Sequence, residues 1–213
     1  MAQRRLQEEQ FLYGDIVQFA STDSYELLGL KSVSGMEWFT RYCNGFPYFI
    51  KLDQDTFVHT RNLERFLSTE FPMGPSLLIC SVFSRKQMRY YHGYKWKTRR
   101  ERRVSGWNFS PHYCAGAAYI VSQDLVQTLS EQSKLMEPMR LEDMYVTGFL
   151  PLCANTTPQY VDIDQRYLKF DESNIMGKRL DVLLRVLEER FLFVHSLPTA
   201  LHSKLWRIVN GSV

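Results

Sequence analysis

Residues 46–58 read FPYFIKLDQDTFV, and this stretch decides how the rest of the chain is organised. The run YFIKL is apolar on both faces, as expected of a central parallel strand covered on both sides. It stops on Asp53 and Asp55, two carboxylates separated by one residue. With a two-residue side-chain period, both point one way and Gln54 points the other. Carboxylates held that close repel unless a cation lies between them or one takes up a proton. Hard oxygen donors with no nearby cysteine favour Mg²⁺ or Mn²⁺, which keep positions open for phosphate oxygens. The bland alternative is a solvated loop, where Asp is common; an EF-hand does not fit, because the loop glycine and the glutamate at position twelve are missing.

Outward from that stretch, strands and helices alternate. GDIVQFA (14–20) reads as a strand, and Asp23-x-x-Glu26 as a capping box for a helix from about Ser24 to Tyr42 bearing Leu27, Leu30 and Trp38. NLERFLS reads as helix, SLLICSVF and GAAYIVS as buried strands, with Ser122 capping QDLVQTLSEQ. LEDMYVTGFL predicts a short helix stopped by Pro151. Leu180, Leu183, Leu184, Leu187 and Phe191 trace a helical stripe. FLFVHS then predicts a strand and LHSKLWRIV a last helix. This alternation implies an α/β fold with a mostly parallel sheet flanked by helices, in which ligands bind at the carboxyl ends of strands. With no repeat or long linker, the 213 residues read as a single domain, 1–213.

Bulk composition narrows the field. Hydrophobic residues at 45% and charged residues at 23% are ordinary for a soluble globular chain, and a net charge of +3 is too small to argue for nucleic acid. No apolar stretch reaches the roughly 18 residues of a membrane span, and MAQRRLQEEQ is not a signal peptide. Cys43, Cys80, Cys114 and Cys153 contain no C-x-x-C pair, so a zinc site is not expected; two disulfides are permitted in any of three pairings. Sequons stand at Asn108, Asn155 and Asn210. KWKTRRERR (95–103) carries six positive charges and reads as a solvated loop, with binding to phosphate or an acidic glycan as the second reading; Trp107 beside it could stack on a sugar ring.

Read in order, YGDIVQFASTDSYELLGLKS, KLDQDTFV, SPHYCAGAAYIVSQDLV and LEDMYVTGFL resemble the β1,3-galactosyltransferase and β1,3-N-acetylglucosaminyltransferase family over about residues 8 to 153. The resemblance implies a GT-A fold, a UDP-galactose or UDP-N-acetylglucosamine donor, a Mn²⁺ ion (Mg²⁺ as substitute), inversion at the anomeric carbon and a β1,3 linkage to a glycan hydroxyl. Asp53 and Asp55 match the outer members of the family's acidic triplet. Asp55 is then the direct metal ligand and Asp53 a contact to the donor or to metal-bound water, with Lys51 joining them on the donor side. Asp143 matches the catalytic base and Glu142 an acceptor-orienting neighbour. His195 is the late metal ligand, with His202 as fallback, and Lys31 a structural charge. Cys114 matches a bridged cysteine whose family partner is absent, leaving Cys153 as the substitute.

The resemblance also implies a Golgi lumenal enzyme acting on glycoprotein or glycolipid glycans, with a membrane anchor in full-length relatives. The anchor, the stem and a first strand-helix unit with its IR-TW motif are missing from this sequence, so an N-terminally incomplete chain is expected. A catalytically inactive relative that binds partners or glycans is the alternative function.

Overall fold

The computed structural model describes residues 2–69, 74–83, 111–169 and 191–209. A helix, α1 (Ala2–Tyr13), precedes a 3-10 turn (Tyr25–Leu27) that leads into α2 (Leu28–Tyr42). There follow β1 (Tyr48–Leu52), β2 (Phe57–Val58), α3 (Thr60–Thr69), β3 (Leu77–Phe83), β4 (Tyr113–Ser122) and α4 (Gln123–Ser133). A broken helix comes next: α5 (Glu142–Met144), a π turn (Tyr145–Phe149) and α6 (Leu150–Cys153). β5 (Gln159–Asp162), a 3-10 turn (Asp164–Arg166), β6 (Tyr167–Lys169), β7 (Phe193–His195) and α7 (Thr199–Val209) complete the described chain.

The strands form two sheets. The larger has the order β1-β4-β3-β5, the smaller β2-β7-β6. Period-two alternation divides the residues of β3 and β4 between two cores. Leu78, Cys80, Tyr119 and Val121 face Val33, Met36 and Phe39 of α2, Leu125 and Leu129 of α4, and Tyr145 and Leu150 of the broken helix. Leu77, Ile79, Ala118 and Ile120 face the other way, onto Leu63 and Phe66 of α3 and onto Leu192 and Phe193. Leu78, Ile79 and Ile120 are fully buried, each contributing about 1.5–3 kcal/mol relative to exposure.

The α/β class and the helix-flanked sheet therefore stand, while the direction of the strands does not follow the sequence expectation. β1 and β3 both run antiparallel to β4, and among the described strands only β3/β5 and β6/β7 are parallel. An apolar run reports cover on both faces, and antiparallel β4 has that cover just as a parallel strand would. YFIKL moreover lies at the edge of its sheet among the described strands.

GDIVQFA is not a strand. Pairing with no strand among the described residues, it runs largely exposed after α1, whose end is closed by Gly14 at φ 67° donating its N–H to Gln10 O at 2.9 Å. The helix over 24–42 forms, but its buried face is Gly29, Val33, Met36 and Phe39, and Trp38 stays partly exposed. Asp23 caps nothing; it pairs instead with Lys31 at 3.2 Å, the structural role expected of that lysine. Ser122 does occupy the N-cap of α4, yet its hydroxyl donates to Asp124 Oδ1 at 2.6 Å and accepts from Leu77 N at 2.9 Å, tying α4 to β3.

The disulfide joins Cys80 to Cys114 across β3 and β4, correcting the pairing through Cys153, which is free and exposed. A register shift between Cys80 and Val82 accompanies it. The stripe from Leu180, the basic run 95–103, Trp107 and the sequons at Asn108 and Asn210 lie outside the described residues.

Candidate active site

Asp53 and Asp55 occupy the turn between β1 and β2. Asp53 N donates to Ala117 O at 3.0 Å, carrying the β1/β4 ladder one residue beyond the strand. Thr56 N then closes the turn on Asp53 O at 3.0 Å, and the Thr56 hydroxyl donates to the same Ala117 carbonyl at 3.1 Å. The second sheet supplies the third member. β2 pairs antiparallel with β7, Phe57 opposite Val194, so His195 emerges beside the turn, and Leu197 N fastens the return by donating to Asp55 O at 3.1 Å.

The outcome is a compact donor set. Ligand atoms of Asp53, Asp55 and His195 all lie within 4.8 Å of one another, with His195 Nε2 at 3.6 Å from Asp55 Oδ2. Two carboxylate oxygens and one imidazole nitrogen, each partly exposed, suit a divalent ion that keeps its remaining positions open. His202 is not part of this set: its ring packs edge-on to Phe57 at 5.9 Å.

Lys51, on β1 two residues before Asp53, is largely buried. Its ammonium donates to Asp53 Oδ1 and to Gly116 O, and lies 3.7 Å from Glu142 Oε2. Its strand partner is Tyr119, whose hydroxyl donates to Glu142 Oε1 at 2.6 Å. Glu142 is thus buried, at 6% exposure, and engaged from beneath by Tyr119 and Lys51. This carboxylate stands directly before Asp143 in the chain.

Asp143 packs against Gly116 of β4. A Cβ at position 116 would stand 3.2 Å from Asp143 Cβ and 3.3 Å from Oδ2, so the glycine makes room for this carboxylate. Burial, then the neighbouring Glu142 carboxylate, pushes the Asp143 carboxyl up to about 7, against the opposing pull of the Met144 N–H and Lys51. Met144 N donates to Asp143 Oδ1 at 2.8 Å.

The backbone that carries Asp143 is unusual. Pro151, expected to stop the helix, instead lies inside its final turn, and the chain passes it through the π turn. An α-helix would pair the N–H at 151 with Thr147 O; proline has none. The Tyr160 hydroxyl reaches that carbonyl at 2.7 Å. The Thr147 hydroxyl donates to Asp143 O at 2.6 Å and accepts from Cys114 N at 2.9 Å, locking the turn to the disulfide-bearing strand. Single π turns of this kind gather at functional sites.

Two tyrosines that the sequence reading passed over also belong here. Burial, then Asp143 and Asp53, raises the hydroxyl of the half-exposed Tyr25. Tyr167 is raised by burial and then by Asp53, Asp55 and Asp164, and its ring lies 6.3 Å from that of His195. Tyr25 stands in the TDSYELL stretch, so order along a motif gave a hint; Tyr167 gave none.

A helix-flanked α/β scaffold with an Asp-Asp-His donor set and, linked to it through Lys51 and Glu142, a raised carboxyl has the layout of a metal-assisted group-transfer site. Residues 1–159 match the family model described as Galactosyltransferase, and the chain belongs to that family. It is 34% identical over 146 residues to pig UDP-GalNAc:beta-1,3-N-acetylgalactosaminyltransferase 1, covering 66% of this chain and 42% of the relative. It is 26% identical over 220 residues to rat UDP-GlcNAc:betaGal beta-1,3-N-acetylglucosaminyltransferase 7, covering 99% of this chain and 51% of the relative. Human beta-1,3-galactosyltransferase 2 is 30% identical over 156 residues, with 68% and 34% covered. The chain spans about half the length of these relatives or less.

Proposed function

We propose that the chain is a single catalytic domain of an inverting glycosyltransferase that moves galactose or an N-acetylhexosamine from a UDP-sugar to a glycan hydroxyl in β1,3 linkage. The observation that carries this is the donor set of Asp53, Asp55 and His195 joined through Lys51 and Glu142 to an Asp143 carboxyl packed on Gly116, in a chain of this family. Relatives named for three different sugars share the lineage, so the donor sugar is a matter for assay.

Asp55 and His195, with Asp53, would hold a divalent ion, Mn²⁺ or Mg²⁺. When bound, the ion supplies Lewis-acid stabilisation of the charge developing on the departing diphosphate. Asp143 takes the proton of the acceptor hydroxyl as that oxygen attacks the anomeric carbon from the face opposite the diphosphate. A carboxyl raised to about 7 is suited to this, since about half of it is ionised at neutral pH and the ionised form is a stronger base than an ordinary aspartate. Glu142, Tyr119 and Lys51 fix the floor between the two carboxylate groups.

A Golgi lumenal setting is part of the proposal. The Cys80–Cys114 bridge supports an oxidising compartment, and among the described residues no helix is long and apolar enough to cross a membrane. The test is UDP release by purified protein with Mn²⁺, a panel of UDP-sugars and assorted glycan acceptors. Turnover with one donor, lost on chelation, is expected. Absence of turnover with every donor, despite intact nucleotide binding, would favour the non-catalytic alternative.

A further inference from the structure

Lys51 has three acceptors within reach, Asp53 Oδ1, Gly116 O and Glu142 Oε2. One of these, Asp53, also belongs to the Asp-Asp-His donor set. A fixed ammonium against one carboxylate of a cation site does two opposed things. It orders the carboxylate, and it repels and competes with any divalent ion that arrives. Lys51 is only 14% exposed, so water screens that repulsion weakly. Its other partners hold it in place: Glu142 is buried and itself held by Tyr119, and the cross-strand pairing of Lys51 with Tyr119 fixes both on one face of β1 and β4.

We propose that Lys51 is a resident counter-cation of the metal site, which weakens the hold on a free divalent ion and makes that hold conditional on the nucleotide diphosphate. The inference rests on the functional reading above. With Lys51 in place, the site carries two acids against one ammonium and an imidazole. That is too little negative charge to bind a bare ion tightly, and a diphosphate supplies the rest. The site then takes up ion and nucleotide together and does not fill with cation alone.

The experiment measures Mn²⁺ binding by electron paramagnetic resonance, with and without UDP, in wild type, Lys51→Met and Lys51→Arg. Lys51→Met keeps the apolar stem and removes the charge. Wild type is expected to bind Mn²⁺ weakly alone and far more tightly with UDP. Lys51→Met is expected to bind free Mn²⁺ on the order of tenfold more tightly, with the gain from UDP reduced by a similar factor. Lys51→Arg, which keeps the charge, is expected to stay near wild type without UDP. Glu142→Gln leaves the ammonium less compensated and is expected to bind free Mn²⁺ several-fold more weakly. This variant also gives an answer should Lys51→Met fail to fold; unchanged or tighter binding in Glu142→Gln counts against the proposal. Equal or weaker Mn²⁺ binding by a folded Lys51→Met overturns the proposal alone, reducing Lys51 to a strut for Asp53. Wild type that takes up no Mn²⁺ even with UDP overturns the metal reading itself and this inference with it.

Discussion

The two acidic banks of the site are built on opposite principles. On one, Asp53, Asp55 and His195 lie in a turn and at a strand end, partly exposed, with side chains 39%, 46% and 22% accessible. On the other, Glu142 is buried, and Asp143 is half-buried on a helix broken by a π turn and pinned through Thr147, Tyr160 and Cys114. Groups that share a hydrated ion need open coordination positions, and exposure provides them. A group that must accept a proton near neutral pH needs a raised pKa, and burial beside another carboxylate provides that. Lys51 reaches Asp53 on one side and Glu142 on the other.

This contrast predicts different failures on the two sides. The largest effect is expected at Asp143. Asp143→Asn should lower kcat by 10³-fold or more and leave UDP and Mn²⁺ binding intact, as measured by turnover and titration calorimetry. Turnover surviving this change would put the base elsewhere. The same variant sharpens the burial argument. A carboxyl whose folded pKa is raised binds its proton more tightly in the native state, so stability falls as pH rises from the ordinary aspartate range through about 7. Asp143→Asn should therefore raise the melting temperature at pH 8 and change it little at pH 4.

Next in size, Asp55→Ala should weaken metal-dependent UDP binding by about 100-fold with little change in melting temperature, since the lost side chain is half exposed. Equal UDP affinity with and without chelator in wild type would remove the exposed bank from the mechanism. A third test targets the frame. Replacing Cys80 and Cys114 with serine should cost about 2–4 kcal/mol in denaturant unfolding, given a bridge between residues 34 apart.

Smaller again is Gly116→Ala. The added methyl meets Asp143 at 3.2–3.3 Å, so the carboxylate must shift by a few tenths of an ångström. About a tenfold loss in kcat, with KM for the donor unchanged, is expected. A loss confined to donor KM would mean that Gly116 serves the other bank. Finally, log kcat/KM should rise with unit slope below about pH 7 and level off above it, tracking ionisation of the raised carboxyl. A profile flat down to pH 5 would contradict that assignment.

Much of this was legible in the chain. The runs SLLICSVF and GAAYIVS announced buried strands because period-two alternation between two cores leaves no polar position. FPYFIKLDQDTFV announced a strand ending on acids, and the ordered motifs announced the family. What the chain hid were facts of neighbourhood. GDIVQFA has strand-like residues and pairs with no strand among the described residues. Cys114 has three possible partners by sequence, and only the β3/β4 register selects Cys80. Tyr167 carries no motif and enters the site because β6 lies beside β7.

Residue type and order by themselves determined which groups could do chemistry: two hard carboxylates one residue apart, a later histidine, and an acidic pair opening a helix. Tertiary structure alone decided what those groups became. It set β1 and β3 antiparallel to β4, brought His195 to Asp55 across the sequence, and buried Glu142 with Asp143 half-buried beside it. The reason is physical. Acidity, charge and donor type belong to a residue, but their magnitudes depend on distance and solvent, which exist only once remote segments pack together.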